Sequence, residues 1–118
     1  MKLKKEYVIL MYKIALLGNE DTILGFKLLG VHLFPIIKKE EAIKTLNKLV
    51  KEKYAVVFIT EEIAREIMDK IEELQKISLI AFTIIPSKFE NKKMGLELLK
   101  RNIEKAIGTD ILFGKEGE

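Results

Sequence analysis

The sequence is poorest in the residues that usually do chemistry. Its 118 residues include no cysteine, one histidine, two prolines and a single glutamine, Gln75. Without cysteine there is no disulfide, no thiol nucleophile and no thiolate metal site, which suits a reducing compartment. One histidine, His32, cannot form the paired-imidazole set of a zinc centre. Long apolar runs are missing too. Near the start the longest is Tyr7 to Met11, closed by Tyr12 and Lys13, far short of a bilayer span. Met1 to Lys5 is basic, but no cleavable apolar core follows it, so a signal peptide is rejected. These features lead us to expect a soluble protein.

What is present is charge and aliphatic bulk. The 21 basic and 18 acidic side chains give a net charge of +3. They are interspersed, as on a solvated surface, and do not form a nucleic-acid-binding stripe. Abundant Lys, Glu and Ile beside scarce Gln resembles the composition bias of hyperthermophiles. The length suits one domain with a core of its own.

The pattern along the chain is strand then helix, four times. Lys13 to Leu17 is apolar after its first residue and does not alternate, as in a central parallel strand covered on both faces. Gly18 ends it. Asn19, Glu20 and Asp21 can cap the helix that follows and suit its positive end. That helix runs to about Leu29, with Gly30 as its stop. Its Ile23, Leu24, Phe26, Leu28 and Leu29 spread around most of the circumference, so one sheet face cannot bury them all. The helix is either wedged between the sheet and a neighbouring helix, or turns one side to another protein.

Val31 to Phe34 reads as a short edge strand closed by Pro35. Lys39 to Glu52 reads as a helix with Ile43, Leu46 and Val50 on one face. Tyr54 to Ile59 is a second buried strand. Thr60 stands where it can cap a helix with the stripe Ile63, Ile67, Ile71 and Leu74. Leu79 to Ile85 is the fourth strand, ended by Pro86. Met94 to Ile107 is a last amphipathic helix, aligned through Leu96, Leu99, Ile103, Ala106 and Ile107 and stopped by Gly108. The tail beyond it holds one apolar knot, Ile111-Leu112-Phe113.

This alternation implies an α/β fold: a four-stranded parallel sheet of order 2-1-3-4 with helices on both faces, plus the C-terminal amphipathic helix. The expected division is an N-terminal extension (1–10), an α/β domain (11–88), and a loop, C-terminal helix and tail (89–118). Ligands of such folds sit in the crevice at the carboxyl ends of strands one and three. Here that crevice holds Gly18, Asn19, Glu20, Asp21, Thr60 and Glu61.

The crevice is ill suited to catalysis. A dinucleotide site needs glycines that admit a pyrophosphate. This turn has one glycine followed by Asn-Glu-Asp, whose carboxylates repel phosphate, and neither GxGxxG nor GxxxxGK[ST] occurs. A phosphoreceiver needs an acceptor aspartate at the end of its third strand, and the residue there is Thr60. There is no GxSxG elbow. Glu62, Glu66, Asp69, Glu72 and Glu73 are interleaved with Arg65 and Lys70, as on a solvated helix face. The expected catalytic, cofactor and metal residues are therefore none. A binding module remains, with Ile23, Leu24, Phe26, Leu96, Leu99, Ile103 and Ile107 as partner-interface candidates. Gly18, Asn19, Asp21 and Thr60 act as capping and crevice residues. The competing reading is a degenerate receiver-like regulatory domain that lacks its acceptor.

Three blocks resemble a known family. GNEDTILGFKLLGV (Gly18 to Val31), YAVVFITEEIAREI (Tyr54 to Ile67) and FTIIPSK (Phe82 to Lys88), in this order and spacing, resemble the F subunit of the V-type (archaeal-type) ATPases. The resemblance covers most of Met11 to Leu112; residues 1–10 lie outside the family's usual start. It implies a Rossmann-like domain and a non-catalytic place in the central rotor stalk. There it would lie against the coiled coil of the D subunit, among the other stalk subunits and below the catalytic A and B subunits. It also implies a C-terminal helix able to change position, matched here by Met94 to Ile107. The location implied is cytoplasmic, reaching the membrane only through the complex.

Overall fold

A computed structural model describes residues 12–86 and 92–107, excepting the side chains of residues 28, 29, 92, 93, 96, 104, 106 and 107. Four strands form one sheet: β1 (Ile14–Gly18), β2 (His32–Pro35), β3 (Val56–Thr60) and β4 (Ala81–Ile85). All pairings are parallel and the order is β2-β1-β3-β4, as the alternating pattern implies. The two inner strands, β1 and β3, are buried at every position. Side chains on both faces of an inner parallel strand meet helices, so these strands read as unbroken apolar runs.

One face of the sheet presents Ala15, Leu17, Val57 and Ile59. It packs against α2 (Lys39–Lys51) through Ala42, Leu46 and Leu49, α3 (Glu61–Glu66) through Ala64, and α4 (Met68–Ile77) through Ile71 and Leu74. On α2 the buried stripe therefore differs from the expected one: Leu46 is common to both, while Ile43 and Val50 pack only at its margin. The other face presents Ile14, Leu16, Val56, Phe58 and Ile85. It is covered by Ile23 of α1 (Glu20–Ile23), by Phe26, and by Leu99 and Ile103 of α5 (Lys92–Ile107).

Three details depart from the expected elements. The first helix is α-helical for only four residues and continues from Leu24 to Leu29 as a 3₁₀ helix. The tighter winding of 3₁₀ structure eclipses every third side chain. It turns Ile23 and Phe26 onto the sheet together and leaves Leu24 outward. The expected continuous helix after β3 breaks at Ile67, whose φ of −128° separates α3 from α4 while its side chain stays buried. Leu79, expected within the fourth strand, precedes β4 and is fully exposed.

Helix α2 is closed at its start by Glu41. Its Oε1 accepts from the backbone N–H of Lys38 at 2.9 Å and of Ile37 at 3.3 Å. This is half of a reciprocal capping arrangement. At the opposite end of the sheet, Tyr54 is gripped from several sides. Its hydroxyl is hydrogen-bonded to Nδ1 of His32. Its ring meets Phe34 edge-on at 6.2 Å, and Lys13 Nζ stands 5.6 Å from its centroid. Burial, and secondarily the charge of Glu52, raises the Tyr54 phenol above its ordinary pKa of 10.0. The only histidine is thus a structural partner of Tyr54.

A phenol whose folded-state pKa is raised binds its proton more tightly when folded. Its contribution to stability is present below the unfolded value and is lost as pH rises through the folded one. Denaturation at pH 7 to 11 should show falling stability above about pH 10, and Tyr54→Phe should flatten that decline.

Candidate functional site

The carboxyl ends of β1 and β3 bring Gly18, Asn19 and Thr60 together, and Gly18 is tightly packed there. Asn19 is the N-cap of α1: its Oδ1 accepts from Thr22 N–H at 2.8 Å. Gly18 O accepts from Ile36 N–H at 2.9 Å, tying the end of β1 to the segment after β2. A Cβ placed on Gly18 would lie 2.6 Å from Ile23 Cγ2 and 2.7 Å from Thr60 Cγ2. Those two methyl groups fill the space beside the Gly18 Cα. Glycine is required at position 18 for packing, because no side chain fits.

Thr60 sits at the N-cap position of α3 but makes no capping hydrogen bond from its side chain. It is buried instead, with its methyl group against Gly18. The expectation that Thr60 caps this helix is corrected on that geometry: the hydroxyl belongs to the interior of the crevice. Glu20 and Asp21 are solvent-exposed in the first turn of α1, where their charge suits the helix terminus.

Among the described residues, no group of three or more His, Cys, Asp or Glu is placed to hold a metal ion. A cavity of about 140 Å³ lies beside the crevice, lined by Asn19, Ile36, Ile37, Lys38, Lys39, Glu62, Ile63 and Glu66. It is smaller than the roughly 300–1,000 Å³ of small-molecule sites. Its charged walls are surface side chains.

The partner-interface candidates divide sharply. Ile23, Phe26, Leu99 and Ile103 are buried against the sheet, so with α5 docked they are core residues and present no surface. Leu24 is 59% exposed. The side chains of Leu96 and Ile107 lie outside the described residues. Other exposed apolar side chains stand outside the expected set: Ile37, 89% exposed, and Ile77, Leu79, Ile84 and Met94. One signal for some of them was available: from Ile77 to Ser87 the chain carries no charged residue.

Among the described residues neither a phosphate cradle nor a metal cluster stands out, and the comparison with known proteins carries the identification. The family model described as ATP synthase (F/14-kDa) subunit matches residues 14–103. The chain belongs to this family. It is 44% identical over 100 residues to the F subunit of a V-type ATP synthase from Clostridium botulinum, covering 85% of this chain and 97% of that one. To the V-type F subunit of Fusobacterium nucleatum it is 40% identical over 103 residues, covering 87% and 98%. To the A-type F subunit of Methanocaldococcus jannaschii it is 34% identical over 101 residues, covering 84% and 98%. The chain is therefore a non-catalytic component of an ATP synthase. Among the described residues no helix is long and apolar enough to cross a membrane.

Replacing Gly18 by alanine should lower stability by about 1–3 kcal/mol through overpacking. Urea denaturation with an unchanged slope is the check. A neutral substitution would mean that the Ile23 and Thr60 methyl groups give way.

Proposed function

We propose that this chain is the F subunit in the central rotor stalk of a V-type ATP synthase. It binds the coiled coil of the D subunit and supports the coupling of ATP turnover in the A and B head to ion translocation. The observation that supports this reading is the family match over residues 14–103. The bound state lies on the cytoplasmic side, at the membrane only through the complex.

In its physical role the chain is a rigid spacer with an adhesive face. The sheet is stiffened by helices on both sides, and Ile23 and Thr60 pack tightly against Gly18 at the end of β1. Binding then rests on surface apolar groups. Of the candidates whose side chains are described, Leu24 is the one exposed. It lies on the same side of the sheet as α5.

The last helix sets a choice. Leu99 and Ile103 can complete this chain's core or meet a partner, but one pose cannot do both. Exposing one such side chain forfeits about 1.5–3 kcal/mol, so undocking both costs roughly twice that. Regulation by movement of α5 is therefore coupled to reburial: the helix leaves the sheet only where another apolar surface receives it.

Copurification with a homologue of the D subunit should yield a one-to-one complex at micromolar concentration, and its absence contradicts the reading. Leu24→Asp should weaken that complex by roughly tenfold or more, about 1.4 kcal/mol, with circular dichroism and melting temperature unchanged. Unaltered affinity would remove Leu24 from the interface. Leu99→Asp and Ile103→Asp should each destabilise the free chain by about 3 kcal/mol or more, by burying a charge. Circular dichroism of the free variants separates this loss from a loss of binding.

A further inference from the structure

The two edges of the sheet are unlike. β2 carries His32 and Pro35 and is followed by Lys38 and Lys39. Prolines and lysines at an edge discourage further strands from adding to it. β4, Ala-Phe-Thr-Ile-Ile, lies within the uncharged stretch from Ile77 to Ser87, and Ile84 is 44% exposed. Among the described residues no strand pairs with its outer side.

The hydrogen-bonding parity of that outer side follows from the ladder. Ala81 N–H donates to Ala55 O at 3.0 Å, so Ala81 faces β3. Alternation along the strand then turns the backbone groups of Thr83 and Ile85 to β3 and those of Phe82 and Ile84 outward. An antiparallel neighbour in register about Thr83 would place Phe82 opposite the Ile84 of that neighbour, and Ile84 opposite its Phe82. Both are positions whose N–H and C=O point out. Thr83 would face Thr83 in the close, non-hydrogen-bonded position.

We propose that a second copy of this chain pairs with the outer edge of β4, antiparallel about a two-fold axis at Thr83, joining two sheets into one of eight strands. Self-association requires a patch that complements itself under a two-fold rotation. A charged strand would meet its own charge across the axis. This strand meets none, and the pairing supplies four backbone hydrogen bonds, two Phe-Ile contacts and one Thr-Thr contact, types that favour cross-strand pairs. Five residues a side bury less than the roughly 1,200–2,000 Å² of a stable complex. The dimer is accordingly weak, with dissociation in the range of roughly 10 μM to 1 mM.

Sedimentation equilibrium of the full chain, from about 10 μM to 1 mM, tests this together with amide hydrogen exchange at the same concentrations. The mass should rise from 13.6 kDa towards twice that value. Over the same range the Phe82 and Ile84 amides should gain protection while that of Thr83, already in the ladder, stays constant. Ile84→Lys alters an exposed side chain, so the melting temperature should hold while association drops at least tenfold. A monomeric mass throughout overturns the proposal, whether or not those amides are protected. So does a dimer that Ile84→Lys leaves intact, or one whose new protection lies elsewhere.

Discussion

Everything in this fold follows from a parallel sheet that must be covered on both faces. Strands β1 and β3 bury every side chain they carry. One face is covered by three helices in chain order, α2, α3 and α4. The other is left to a four-residue helix with its 3₁₀ continuation and to α5, which returns from the far end of the chain. Among the described residues the second face has fewer helices over it, and Leu99 and Ile103 are fully buried there. A segment that closes the core and is drawn from the end of the chain links stability to any movement of that segment.

The same economy shapes the end of the sheet where ligands usually bind. The β1 turn has the outline of a phosphate site, and each element of it is used for packing or capping. Gly18 is glycine because Ile23 and Thr60 leave no room. Asn19 caps, and Glu20 and Asp21 stand in solvent in the first turn of α1.

Much of this was legible in the residues. Non-alternating runs such as Ala15 to Leu17 and Val56 to Ile59 announce buried parallel strands, and from these the order 2-1-3-4 follows by short right-handed connections. The three-block resemblance pointed to the family that the comparison established. Other features were not legible. An apolar stripe on α5 has one period whether it meets its own sheet or a partner, so Leu99 and Ile103 read equally well as interface or core. The excess of apolar residues from Ile23 to Leu29 did signal an unusual helix, but not that 3₁₀ winding would resolve it. Thr60 has the right type and position for a cap; only the nearness of Gly18 shows that its side chain is needed inside.

We propose that the chain binds the D subunit as a folded unit, with α5 completing the core. Amide hydrogen exchange of the chain, alone and saturated with a homologue of the D subunit, tests this most directly. We predict slow exchange through the Leu99 to Ile103 turn in the free chain, with new protection from Leu24 to Leu29 on binding. Fast exchange of that turn in the free chain, or no change at Leu24 to Leu29 at saturation, would contradict it.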